Sequence, residues 1–145
     1  MRKVILAIII GVIALYFASQ GYAQKSVASP CNRINEDMIR VYDDKVVIDL
    51  KNAKWSYFTP TGSMLPSINE NSNAIEITPE SEKDVCVGDI IAFRYSQKSI
   101  SHRVMEKGTD EQGVYFITKG DNLESNDPFK VRFSQIESVI VAIIY

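Results

Sequence analysis

Histidine is nearly absent from this 145-residue chain, which has one, His102, and its cysteines number two, Cys31 and Cys86. An all-Cys/His zinc site ordinarily takes four such ligands, so one chain cannot supply it, and metal chemistry would have to lean on carboxylates. A basic excess is missing too. Lys and Arg total 16 against 18 Asp and Glu, a formal net charge of -2, which leaves no overall electrostatic footprint for nucleic acid. Seven glycines and five prolines are too few for a collagenous chain, and 46% hydrophobic with 23% charged residues excludes a disordered one. This length holds one core and not several domains. No repeat or low-complexity tract interrupts it.

The apolar content is concentrated at one end. Residues 4–18 carry no charge and follow Arg2 and Lys3, the pattern of a basic n-region and an apolar h-region. Gly21 and Ala23 then resemble the small residues of a secretory cleavage junction, which would remove the segment. The uncharged run continues to Gln24, however, and at about 1.5 Å per helical residue it reaches roughly the 30 Å of a bilayer, which would keep residues 1–24 as one transmembrane helix. Both readings leave the N-terminus in the cytoplasm and send the chain from Lys25 onward to the extracytoplasmic side. There the chain carries 14 basic and 18 acidic residues. An oxidising compartment permits a Cys31–Cys86 bridge; two free, partly buried thiols are the alternative.

Residues 25–30 (KSVASP) read as a linker, and 34–45 as polar and weakly patterned. Short β-branched or aromatic runs follow at 46–50, 55–58, 74–78, 89–95, 100–106, 114–119 and 136–145, separated by Pro, Gly and Asn clusters. The chain is expected to be mainly β, a coiled or closed antiparallel sheet. Alternation over 74–78 suggests a strand with one wet face, whereas 89–93 looks buried on both. Trp55, Tyr57 and Phe58 either fill the core at period two or rest at a membrane interface. The apolar stretch 138–145 is too short for a second span.

Three segments could carry chemistry. In 59–66 (TPTGSMLP) two prolines bracket Gly62 and Ser63, which holds the loop near fixed φ while glycine permits close backbone approach. That suits a nucleophilic serine, and equally an ordinary turn. In 100–104 (ISHRV) His102 stands among strand residues as a structural side chain or as the base such a serine needs. In 118–128 (TKGDNLESNDP) turn chemistry surrounds carboxylates, one of which could orient the imidazole.

Taken in order, Ser63-Met64-Leu65-Pro66, Gly88-Asp89-Ile90-Ile91, Ser101-His102-Arg103-Val104 and Thr118-Lys119-Gly120-Asp121-Asn122 resemble type I signal peptidases. Where general bacterial enzymes of that family carry lysine, His102 matches the endoplasmic-reticulum and archaeal branch. The resemblance implies a catalytic β domain over 58–145, preceded by a linker and domain start over 25–57. It also implies Ser63 as nucleophile, His102 as general base, and Asp127 ahead of Asp121 as the orienting acid. Thr61, Gly62 and Met64 are implied around the oxyanion and substrate. Leu123-Glu124-Ser125-Asn126 departs from the family by lacking the second Asn usual after Gly-Asp-Asn, and Cys86 is not a family requirement.

The activity so implied is removal of signal peptides from exported preproteins after small residues, at the membrane, with no metal or organic cofactor and no nucleic acid. Partners would be the preprotein signal peptide, the lipid bilayer and accessory membrane subunits. Two other readings stand beside it: a catalytically inert secreted β domain that binds peptides or a partner, and a peptidase dedicated to a narrow set such as pilin-like or matrix proteins.

Overall fold

A computed structural model describes residues 27–145. The expected transmembrane segment, 1–24, lies outside these residues; among the described residues no helix is long and apolar enough to cross a membrane. The described chain is mainly β, with antiparallel sheets. Strands β1 (Ile39–Val41) and β2 (Val46–Ile48) form a small separate hairpin, with Ile39 opposite Ile48. The main sheet contains β3 (Ala53–Tyr57), β4 (Asn73–Ile77), β5 (Ile90–Tyr95), β6 (Lys98–Asp110), β7 (Gly113–Lys119), β8 (Val131–Arg132) and β9 (Ile136–Ile144). Its order is β3-β4-β9-β5-β6-β7-β8, every pairing antiparallel. Strands β3 and β8 end the ladder and do not pair with each other, so among the described residues hydrogen bonds do not close the sheet. Register shifts at Ile75/Glu76, Ala92/Phe93 and Val104/Glu106 mark bulges, which bend the strands and increase their twist.

Two core clusters cover the two faces of the central strands. Ile91, Phe93, Val104, Phe116 and Val139 pack on one side with Val85 and Val131. Ile90 and Ile140 face the other way and pack with Ala74, Met64 and Ile68. Residues 89–93 are buried without a break because a layer covers each face. The second cluster holds down the loop that contains Ser63, since Met64 and Ile68 belong to it.

One patterning expectation reverses, and of the two readings of 55–58 the core one holds for Phe58 alone. In β4 the buried positions are Ala74 and Glu76, with Ile75 and Ile77 half-buried, so no wet face exists and a carboxylate occupies an inward site. In β3, Trp55 and Tyr57 are not core residues: they are 61% and 81% exposed, and only Phe58 packs against the core. Strand β3 is an end strand, and no layer of the described chain covers that side of it. It also pairs with β4, so the main sheet begins within the 25–57 stretch.

Cys31 and Cys86 are joined in a disulfide. Beside it Asp89 is fully buried and its carboxylate is saturated. One oxygen accepts from the Cys31 N–H (3.1 Å) and Arg33 (2.8 Å), the other from the Cys86 N–H (2.7 Å) and Arg33 (2.6 Å). A buried carboxylate survives on such a set of donors and a paired guanidinium. Asp89 therefore fastens the segment ahead of β1 to the start of β5.

Candidate active site

The loop between β3 and β4 presents Ser63. Gly62 takes φ 72°, which a side chain would resist, and turns the chain so that Ser63 follows at the lip of a cleft. The loop after β7 grips it from the far side: the Asn122 N–H donates to the Ser63 carbonyl (2.9 Å) and the Asn122 amide to the Gly62 carbonyl (3.1 Å). Gly120 is needed there for proximity, since a Cβ on it would lie 2.6 Å from the Ser63 carbonyl oxygen.

His102 lies on β6 opposite Ile91, with the Phe93 ring edge-on at 6.5 Å. Its Nε2 is 3.3 Å from Ser63 Oγ, and its Nδ1 is 2.8 Å from Asp127 Oδ2. Asp127 is held twice by Thr118, a buried residue of β7. The Thr118 hydroxyl donates to Asp127 Oδ2 (2.5 Å), and the Asp127 N–H donates to the Thr118 carbonyl (2.7 Å). An acidic acceptor at Nδ1 selects the tautomer protonated there, which leaves the Nε2 lone pair facing the serine hydroxyl. Both side chains are about nine-tenths buried, at 9% and 11% exposure, so the pairing is little screened.

Asp121 does not reach the imidazole. Its oxygens accept from Arg103 Nε (2.8 Å) and the Arg103 terminal nitrogen (2.6 Å), and Ser67 Oγ donates at 2.5 Å. Burial raises the Asp121 pKa, while the Arg103 and Ser67 hydrogen bonds lower it by more, and the carboxyl is held below its ordinary range. Arg103 also donates to the Gly88 carbonyl, tying β6 to the start of β5. Asp121 is thus part of the scaffold behind the serine loop, and its backbone N–H meets Met64 Sδ at 3.4 Å.

Of the other expected residues, Thr61 places its hydroxyl 3.3 Å from Ser63 Oγ. Gly62 shapes the turn. Met64 borders the cleft but is a core residue, 5% exposed. The cleft has a volume of about 880 Å³ and reaches from Ser63 and His102 across the sheet to Ser56, Glu76 and Ser138. Sequence reasoning assigned no role to Thr118, although it stands in a segment quoted for the resemblance. It also passed over Glu76, whose alternating neighbours point to the wrong face. No protein-family profile, curated protein or solved structure matches the chain.

Proposed function

We propose that the protein is a membrane-bound serine endopeptidase of the type I signal peptidase kind, of the branch that uses histidine as base, and that it cleaves exported preproteins after small residues. The observation that carries this reading is the chain of hydrogen bonds from Ser63 through His102 to Asp127, opening on a cleft. Ser63 Oγ attacks the scissile carbonyl while His102 Nε2 takes its proton; Asp127 stabilises the imidazolium through Nδ1–H. The tetrahedral intermediate expels the peptide amine, which receives that proton. Water, deprotonated by the same nitrogen, then hydrolyses the Ser63 ester. The Ser63 N–H and the Thr61 hydroxyl are the donors assigned to the oxyanion.

An extended substrate has a strand to join. Residues 98–102 of β6 pair with β5, whereas pairing with β7 begins at Arg103, so one edge of β6 beside His102 is open for added-strand binding. Exposed Trp55 and Tyr57 on β3 suit an interfacial position, where amphipathic rings are favoured, and that would set the cleft at the membrane surface on the extracytoplasmic side. Catalytic hydrogen bonding of this kind has no use in an inert peptide binder; a narrow clientele remains compatible with it.

The test is incubation of the full chain in detergent or liposomes with a preprotein, with the cut site read by mass spectrometry. Cleavage after a small residue that disappears in Ser63→Ala supports the reading. No cleavage by the intact protein, or undiminished cleavage by Ser63→Ala, overturns it.

A further inference from the structure

The cleft that begins at Ser63 ends at a buried carboxylate. Glu76, 8% exposed, accepts from Ser56 Oγ on one oxygen and from Ser138 Oγ on the other, each at 2.6 Å. A carboxylate offers about four lone-pair sites, so these hydroxyls leave about half of its accepting capacity unused. Among the described residues no cation pairs with it. Lys54 lies opposite in register but is exposed and forms no ion pair with Glu76, whereas nearby Glu137 is occupied by Arg94 at 2.6 Å and Ser99 at 2.8 Å. The free lone pairs of this buried carboxyl face the cleft, where a cationic donor would make the stronger, charge-assisted kind of hydrogen bond.

From this we infer that the far end of the cleft is a cation subsite for a lysine or arginine side chain of the bound peptide, an inference that rests on the peptidase reading. A lysine ammonium has three donors and would meet three oxygens, one from Glu76 and the hydroxyls of Ser56 and Ser138. One row of small groups crosses the sheet towards it, with Lys54, Lys98 and Glu137 also bordering the cleft. Ser138 stands opposite Ala92, and Ala92 opposite Ser101, the neighbour of His102. From β6 to β4 is three strand spacings, about 14 Å, so a peptide paired along the β6 edge reaches Glu76 only with a flank that leaves that edge and crosses the sheet. The subsite therefore reads a basic residue on that flank, which narrows the clientele to peptides that carry one.

Binding is measured with the full-length Ser63→Ala protein in detergent, by fluorescence anisotropy of labelled peptides. Each peptide has one Lys placed two to five residues to either side of a central Ala-Ala, and matched peptides carry Gln, Glu or acetyl-Lys instead. At one placement Lys is expected to bind about tenfold tighter than Gln or acetyl-Lys, the scale of a charge-assisted hydrogen bond, with Glu weakest. The preference is expected to collapse in Glu76→Gln and to survive in Glu137→Gln. Preference under twofold at every placement, persistence in Glu76→Gln or disappearance in Glu137→Gln overturns the inference; the acetyl-Lys comparison and Glu137→Gln decide the matter if Glu76→Gln does not fold. Selective binding without cleavage of any peptide by the unsubstituted protein counts against the peptidase reading alone, and cleavage without selectivity against the subsite alone.

Discussion

Asp127 and His102 lie 25 residues apart in sequence, and Oδ2 of one stands 2.8 Å from Nδ1 of the other. The contact depends on Thr118, which anchors Asp127 through both hydroxyl and carbonyl, so β7 sets the position of an acid that the loop beyond it carries. Asp121, six residues nearer β7's end, is turned to Arg103 instead. Two carboxylates of one loop therefore separate into an orienting group and a scaffold group.

That separation gives the first prediction. Asp127→Asn is expected to lower kcat/KM by roughly 10³–10⁴-fold with little change in melting temperature, because the amide stabilises the wrong tautomer. Thr118→Val, which removes one hydrogen bond to the Asp127 carboxyl, is expected to lower it by a smaller factor, about tenfold. Equal activities for wild type and Asp127→Asn on a preprotein substrate would remove Asp127 from the mechanism.

His102 Nε2 stands 3.3 Å from Ser63 Oγ, placed to take its proton, so His102→Ala is expected to lower kcat/KM on a preprotein by about 10²–10⁴-fold with an unchanged circular dichroism spectrum. Undiminished activity would point to another base, and so would His102→Lys working as well as wild type.

Asp121 predicts acid sensitivity of the fold. Its folded pKa is lowered from 3.8, so its stabilising contribution is present above that value and is lost as pH falls below it towards the folded pKa. Asp121→Asn is expected to cost about 2–4 kcal/mol at pH 7, leaving Arg103 short of its partner, and the gap from wild type is expected to shrink by pH 3 and further by pH 2. Urea unfolding at the three pH values measures this; a gap independent of pH would mean that the charge of Asp121 is not what stabilises.

The Cys31–Cys86 bridge closes a loop of 55 residues, for which chain entropy predicts about 4 kcal/mol of stabilisation. Paired replacement by Ala is expected to lose about 2–4 kcal/mol in urea unfolding. Since Asp89 still holds both backbones, the replaced protein is expected to keep its fold at moderate temperature, checked by circular dichroism. Unchanged stability would show the bridge to be superfluous.

Much of the sheet could be read in the sequence because β-branched runs bounded by Gly, Pro and Asn have few other uses. Seven expected runs, 46–50 through 136–145, correspond to β2–β7 and β9. Strands β1 and β8 were not foreseen: at three and two residues they show too little periodicity to stand out. The β5–β6 hairpin turns through Ser96 and Gln97, both at positive φ, without the Asn or Gly that would announce such a turn.

The β class, the sole available imidazole and the short loops bearing Ser63, Asp121 and Asp127 are all legible in the order of the residues. These follow from residue type and local spacing, which act over a few bonds. Tertiary structure alone decided which carboxylate meets His102, that Cys31 meets Cys86, that Trp55 and Tyr57 stay outside, and that Glu76 turns into the cleft. Period-two alternation tells which side chains share a face of a strand, but not what covers that face. Covering depends on the order of strands in the sheet and on the loop that folds over them, relations between residues far apart in the chain.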